Sequence, residues 1–202
     1  MALVLGITGG VGTGKSTVLK MLGELGAQVL SADDVAREVV AKGSAAYDEI
    51  RERFGEGAVA PNGEIDRTAL AEIVFRDEQA RRELERITHP RIIELMRERI
   101  EQFRGSAGKR RAVMAVEIPL LHECGLEAMV DEVLVVAAEQ RTQMDRLRSR
   151  CGMTDAEAIR RIEAQMPLES KVGRADRVVW NDGDLKSLER SVARIWGEII
   201  LL

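Results

Sequence analysis

The segment Gly9-Gly10-Val11-Gly12-Thr13-Gly14-Lys15-Ser16 matches G-x-x-x-x-G-K-[ST] and constrains the fold more than any other part of the chain. Such a loop works where a buried strand hands the chain to a helix. Residues 3–8 form a short apolar run that ends at the glycines, which predicts the strand. Residues 15–25 carry a helical pattern closed by Gly26, which predicts the helix. Glycines allow positive φ angles and close backbone approach. The N–H groups of Gly10, Val11, Gly12, Thr13 and Gly14 can then wrap around an anion, with the positive end of the helix behind them. Lys15 supplies a cation for the β and γ phosphates of a nucleoside triphosphate. Ser16 supplies a hydroxyl for Mg²⁺, which binds phosphates, waters and few protein ligands. Thr17 is either a second phosphate contact or a plain helix residue. A chance match in a chain of this length has a probability of roughly 1%, before its strand–helix setting is counted.

The rest of the chain extends this beginning. Apolar runs at 27–30, 112–116, 133–137 and 178–180 predict further strands, the last stopped by Asn181-Asp182-Gly183. Helical patterns fill the gaps. The alternation predicts an α/β fold with a mainly parallel sheet and helices on both faces. Residues 33–111 are the exception. They show no strand pattern, and helices are predicted at 33–41, 45–54, 67–75, 78–87 and 91–103, with Asp66 capping the third. A simple crossover needs far less chain, so an all-helical insertion that covers or binds a substrate is expected. A second interruption at 139–151 carries Arg141, Arg146, Arg148 and Arg150, and Thr154 and Glu157 then stand in capping-box spacing. Residues 185–202 read as an amphipathic helix packed on the sheet.

Composition narrows the function classes. Aromatic residues are 3% of the chain, which argues against a surface built for base stacking. The net charge of −4 argues against a dedicated nucleic-acid binder. No basic-then-apolar leader and no membrane-length apolar run is visible, and Cys124 and Cys151 read as reduced thiols. A cytoplasmic monomer acting on a small molecule, away from membrane and nucleic acid, is expected.

A phosphate loop identifies the donor and leaves the acceptor open. A nucleotide-dependent switch of the GTPase type needs N-K-x-D and D-x-x-G patterns, and neither occurs. The helical insertion and the arginine-rich segment favour a kinase. Transfer to a hydroxyl benefits from a carboxylate that takes its proton. Asp33 lies just past the predicted second strand, at the sheet edge where ligands gather, beside Asp34. Its alternative role is a helix N-cap. Arg146 and Arg150 share a helix face and would neutralise phosphate charge if the segment closed as a lid; a solvated basic face is the alternative.

Taken together, the residues resemble the dephospho-CoA kinase family over essentially the whole chain. The resemblance rests on residues 6–16, Ala32-Asp33 with Ala36-Arg37, Phe54-Gly55, residues 63–67, Leu70, Val74-Phe75, Leu84-Glu85 and His89-Pro90 with Ile92. It continues through Ile118-Pro119-Leu120-Leu121 with Glu123, Arg146-Leu147 with Arg150, Gln165, Ala175-Asp176 and Asn181. It implies a three-layer P-loop kinase core with a five-stranded parallel sheet. It also implies transfer of a phosphoryl group from ATP to the ribose 3′-hydroxyl of dephospho-CoA, the last step of coenzyme A synthesis. Residues 1–32, 112–138 and 155–202 would be the nucleotide-binding core, 33–111 the CoA subdomain and 139–154 the lid. Asp33, Lys15 and Arg146 would serve catalysis, and Arg150 and Asn181 would join the loop in holding ATP. Thr8, Asp33, Arg67, His89, Leu120 and Glu123 would face dephospho-CoA. Pro90 at a helix start accounts equally well for His89, and a structural ion pair for Arg67 or Glu123. Where the family commonly has Asp-Ala-Asp, this chain has Ser31-Ala32-Asp33. Glu117, at a strand end, is then the carboxylate that would reach a Mg²⁺-bound water, unless it is merely solvated. The competing readings are another P-loop small-molecule or nucleotide kinase, and a regulator that binds ATP without phosphorylating a metabolite.

Overall fold

The computed structural model describes residues 2–106, 108 and 112–201. Positions 107 and 109–111 of the expected insertion, and position 202 of the expected last helix, lie outside the described residues. In chain order the elements are β1 (Ala2–Gly9), α1 (Lys15–Glu24), β2 (Gln28–Ser31), α2 (Ala32–Val39), α3 (Ala45–Phe54), α4 (Arg67–Arg76) and α5 (Glu78–Ser106). There follow β3 (Ala112–Glu117), β4 (Glu132–Ala137), α6 (Gln140–Cys151), α7 (Asp155–Glu163), α8 (Leu168–Val172), β5 (Arg177–Trp180) and α9 (Leu185–Leu201). The chain divides into two compact units, Met1–Ser31 with Ile100–Leu202, and Ala32–Arg99.

The first unit is built on a five-stranded parallel sheet in the order β2-β3-β1-β4-β5. Each of the five apolar runs became a strand. Parallel strands buried on both faces read as continuous apolar runs rather than alternating ones, which is why they were legible. β1 lies centrally, with β3 on one side and β4 on the other, so chain leaving the carboxyl ends here diverges and opens a crevice. The phosphate-loop motif sits at that end of β1. In α1, Val18, Leu19, Met21 and Leu22 form one apolar stripe; in α9, Leu188, Val192, Ile195 and Ile199 form another. Both join a core with Leu5, Ile7, Val113, Ala115, Leu134, Val136 and Val179 of the strands. α8 packs against β4. The predicted capping box of α7 is present, with Thr154 and Glu157 bonded reciprocally.

The second unit is helical, with one isolated antiparallel bridge between Val59 and Ile65. Val35, Val39, Tyr47, Ile50, Leu70, Ile87 and Met96 are its larger buried apolar side chains. Tyr47 donates its hydroxyl to the Gly63 carbonyl at 2.7 Å. Asp66 caps α4 as expected, accepting the Thr68 and Ala69 N–H groups at 3.0 Å.

One expectation is corrected. Residues 78–87 and 91–103 are not two helices with His89-Pro90 opening the second; α5 runs through unbroken, with Pro90 inside it. Proline removes one backbone donor and crowds the preceding turn. Here side chains support the neighbouring carbonyls. Thr88 Oγ1 donates to the Leu84 carbonyl at 2.8 Å, and Arg91 Nη1 donates to that of Ile87 at 2.6 Å. Arg91 Nη2 also reaches Glu49 at 2.6 Å. Buried Ile87 and Thr88 before the proline, and Met96, Ile100 and Phe103 after it, anchor both halves. Packing outweighs the local signal to stop.

The Asp66 cap yields a direct test. Asp66→Ala removes the acceptor of two helix-start N–H groups and is expected to lower stability by about 1 kcal/mol in urea unfolding.

Candidate functional site

The carboxyl end of β1 turns into α1 through glycines that no other residue can replace without strain. Gly9 has φ 148° and a Cβ there would run into the Val136 carbonyl oxygen. Gly14, with φ 96°, opens α1, and a Cβ on it would strike the side-chain amide of Asn181. Apart from the Val11 and Thr13 N–H groups, which donate to Gln165 and to the Gly10 carbonyl, the loop amides are thereby left to face an anion, and the loop carbonyls need donors of their own.

Those donors come from the loop and from two distant elements. Thr13 Oγ1 donates to the Gly10 carbonyl at 2.8 Å. Lys15 Nζ reaches the carbonyls of Gly10 at 3.0 Å and Gly9 at 3.3 Å. Arg146 of α6 donates to the carbonyls of Gly12 at 3.2 Å, Thr13 at 3.3 Å and Asn181 at 2.7 Å. Asn181, just past β5, donates Nδ2 to the Thr13 carbonyl at 2.8 Å. Arg146 is therefore no solvated arginine. Burial, and then the nearby charge of Arg150, lower its pKa from the ordinary arginine value. Its fellows remain at the surface: Arg141 and Arg150 are exposed, and exposed Arg148 pairs with Asp145 and Asp155.

Ser16 Oγ donates to Glu117 Oε1 at 3.0 Å. Glu117 ends β3 and is buried, which overturns the reading of a solvated strand-end carboxylate. The strand register sets Ser31 beside it on β2, so a hydroxyl rather than a second carboxylate neighbours Glu117. A serine hydroxyl and one carboxylate are a hard-oxygen pair of the kind Mg²⁺ takes alongside phosphates and water. The residues fit that ion. Among the described residues no group of three or more His, Cys, Asp or Glu forms a metal site, so an all-protein cage is not what the site offers.

The remaining expected site residues fall as follows. Thr8 is buried and donates its hydroxyl to the Pro119 carbonyl at 3.2 Å. Thr17 is half-buried in the first turn of α1. Leu120 is exposed just after β3. Glu123 forms an ion pair with Lys171 at 2.8 Å and accepts the Met166 N–H at 3.0 Å. Asp33, Arg67 and His89 belong to the helical unit, on α2, α4 and α5, and all three are exposed. α2 begins at Ala32, so Asp33 lies within its first turn and is not the N-cap. Among the described residues none of these three side chains makes a hydrogen bond or ion pair. Asp34 pairs with Arg37 at 3.1 Å.

Three residues near the loop escaped sequence reasoning as functional candidates. Gln143 of α6 is buried with its Oε1 close over Gly10. Gln165 accepts the Val11 N–H at 2.8 Å. Lys171 is completely buried. A single glutamine or lysine in a helical pattern reads as surface, and only long-range contacts show otherwise. Gln143 and Gln165 also line a cavity of about 580 Å³ together with Glu139 and Trp180.

Comparison with known proteins gives a consistent result. The family model described as dephospho-CoA kinase matches residues 3–187. The dephospho-CoA kinase of Geobacter sulfurreducens is 44% identical over 96% of this chain and 98% of its own. That of Moorella thermoacetica is 44% identical over 97% and 92%. The solved dephospho-CoA kinase of Campylobacter jejuni superposes with a TM-score of 0.74 at 26% identity, over 99% of this chain and 98% of its own. Shikimate kinase from Acinetobacter baumannii, at 13% identity and a TM-score of 0.55 over 98% and 93%, shares the fold alone.

The Glu123–Lys171 pair has a pH signature. Burial raises the Glu123 pKa, but the hydrogen bonds from Lys171, the Met166 N–H and its own N–H outweigh this and hold it below the ordinary carboxylate value. A depressed carboxyl contributes stability above its unfolded pKa of about 4.3 and loses it as pH falls through the folded value. The urea midpoint is therefore expected to fall below about pH 4.3, with a shallower fall in Lys171→Met.

Proposed function

The chain belongs to the dephospho-CoA kinase family, and from that premise we propose how its residues divide the transfer of a phosphoryl group from ATP to the ribose 3′-hydroxyl of dephospho-CoA, giving coenzyme A and ADP. The observation that carries the reading is the phosphate loop at the carboxyl end of β1, its carbonyls bonded by Lys15, Arg146 and Asn181 and its Ser16 hydroxyl on Glu117. The alternatives, a different small-molecule kinase or a regulator without turnover, have no comparable support in the relatives.

Phosphoryl transfer asks the protein mainly for positioning and for stabilisation of charge. Residues 10–17 hold the β and γ phosphates through those backbone N–H groups that face the anion, the helix start and Lys15, while the Val11 N–H stays on Gln165. In the nucleotide-bound enzyme the Lys15 ammonium leaves the carbonyls of Gly9 and Gly10 for phosphate oxygens. Arg146 stays beside the loop through Gly12 and Thr13 and sets positive charge next to the transferring group. Arg150 adds charge from the same face of α6. Asn181 fixes Thr13 and lies next to the turn where the nucleoside end of ATP is held. Ser16, with Glu117 through a water, would hold Mg²⁺, which would supply neutralisation of phosphate charge.

The acceptor is the task of the insertion at 33–111, with 139–154 acting as the lid. Asp33 takes the proton of the attacking hydroxyl. Its exposed carboxylate, outside the cap position and without an ion-pair partner among the described residues, is available for that role. Arg67 and His89 contribute to binding the bulky acceptor. Thr8, Leu120 and Glu123 shape the acceptor side from the segment after β3 and from the end of β1.

A coupled ADP-release assay tests the assignment. Turnover is expected to require dephospho-CoA and Mg²⁺ together; turnover with shikimate or adenosine monophosphate in place of dephospho-CoA would sink the acceptor. Asp33→Asn is expected to lower kcat about 100-fold or more with ATP binding nearly intact. Full activity in that variant would return Asp33 to a helix-start role. Glu117→Gln is expected to raise the Mg²⁺ concentration for half-maximal rate by about 10- to 100-fold, read from Mg²⁺ titrations of the same assay.

A further inference from the structure

The phosphate loop belongs to a closed circuit of contacts that extends beyond the roles above. Its outer limb starts at Val11, the third residue of the motif, whose N–H donates to Gln165 Oε1 at 2.8 Å. The next residue, Met166, donates its N–H to Glu123 Oε1 at 3.0 Å. Glu123 receives the Lys171 ammonium at 2.8 Å on Oε1 and 3.1 Å on Oε2. The same ammonium donates to the Pro119 carbonyl at 3.1 Å. That carbonyl also accepts the hydroxyl of Thr8, the residue before Gly9, at 3.2 Å. The path leaves the loop at Val11 and returns to it at the end of β1.

Lys171 is the centre of this circuit. It is wholly buried, and its donors are taken up by one carbonyl and one carboxylate. A buried ammonium needs such partners, yet a well-packed apolar pair of similar volume is often as stable or more so. Stability alone therefore gives no reason for a charge here. Geometry does: a carboxylate held by an ammonium on one side orients the turn at 165–166 on the other. That turn aims the Gln165 carbonyl at a loop amide. The bond from Val11 also fixes which way the carboxamide faces, because only its oxygen can accept.

We propose that Lys171 is a positioning residue of the donor site, acting through Glu123 and Gln165 to hold the Val11 N–H and with it the tip of the phosphate loop in the shape that receives ATP. This rests on the donor-site reading above. Lys171 itself touches no substrate. Its effect reaches the reaction through one hydrogen bond at Gln165, and that makes it separable from a purely structural strut.

The test combines amide hydrogen exchange at Val11 in the nucleotide-free protein with steady-state kinetics. Gln165→Leu removes the acceptor on a half-exposed turn and keeps the side-chain bulk. Loss of one hydrogen bond predicts Val11 exchange roughly 3- to 10-fold faster and KM for ATP raised by a similar factor, with KM for dephospho-CoA unchanged. Lys171→Met is expected to speed Val11 exchange and raise KM for ATP in the same way, and the double variant to be no worse in either than the worse single one, since both act on one path. If Lys171→Met does not fold, Glu123→Gln, which keeps an acceptor for the Met166 N–H and loses the charge partner, is expected to speed Val11 exchange in the same direction. The proposal is overturned if Lys171→Met or Glu123→Gln lowers the unfolding midpoint with Val11 exchange at the wild-type rate. It is equally overturned if Gln165→Leu changes neither exchange nor KM for ATP, or if the two effects multiply in the double variant. A non-hydrolysable ATP analogue that fails to protect the loop amides of the wild-type protein would instead remove the donor-site reading and this inference with it.

Discussion

A backbone loop that turns its amides toward an anion leaves its carbonyls to be satisfied from elsewhere, and much of this protein is arranged around that need. The carbonyls of Gly9, Gly10, Gly12 and Thr13 are met by Lys15, the Thr13 hydroxyl, Arg146 and Asn181. These donors come from the loop, from α6 and from the end of β5. The sheet brings them together, because parallel strands end at one edge and β1 lies between the others. Without the carbonyl contacts, the glycines that permit the loop would also let it sample other shapes.

The charges around the loop follow the same economy of position. Among the described residues Lys15 and Arg146 reach the loop, and Arg150 lies near Arg146. Lys15 is half-buried on loop carbonyls, Arg146 is half-buried with its donors on backbone oxygens, and Arg150 is exposed. Buried Glu117 holds the Ser16 hydroxyl in place at the end of the adjoining strand. Having serine at position 31 keeps a second negative charge away from Glu117 on the neighbouring strand, where two close carboxylates would raise one another's pKa.

The helical part shows how far local signals reach. Asp66 and Thr154 were readable as caps, since a cap is decided by a residue and its next three neighbours. Pro90 was misleading for the complementary reason. Its local preference is to start a helix, but α5 continues through it because buried side chains on both sides hold the axis and Thr88 and Arg91 serve the adjacent carbonyls. The solvated alternative failed for Arg146 and Glu117 on contacts with residues more than a hundred positions away.

What the amino-acid sequence determined alone is the phosphate loop, the five strands, the mainly helical character of the stretch that begins at residue 33 and the family. Each is written in short-range pattern: glycine spacing, continuous apolar runs, 3.6-residue periodicity and ordered motifs. What only the tertiary structure decided is which side chains serve that loop. Arg146 on Gly12, Asn181 on Thr13, Gln165 on Val11 and Lys171 on Glu123 are pairings across long stretches of chain. No local pattern encodes them, because a lone arginine, glutamine or lysine looks the same in sequence whether it faces water or a buried carbonyl. Burial and the need to satisfy every buried polar group made the choice once the sheet had brought the strand ends together.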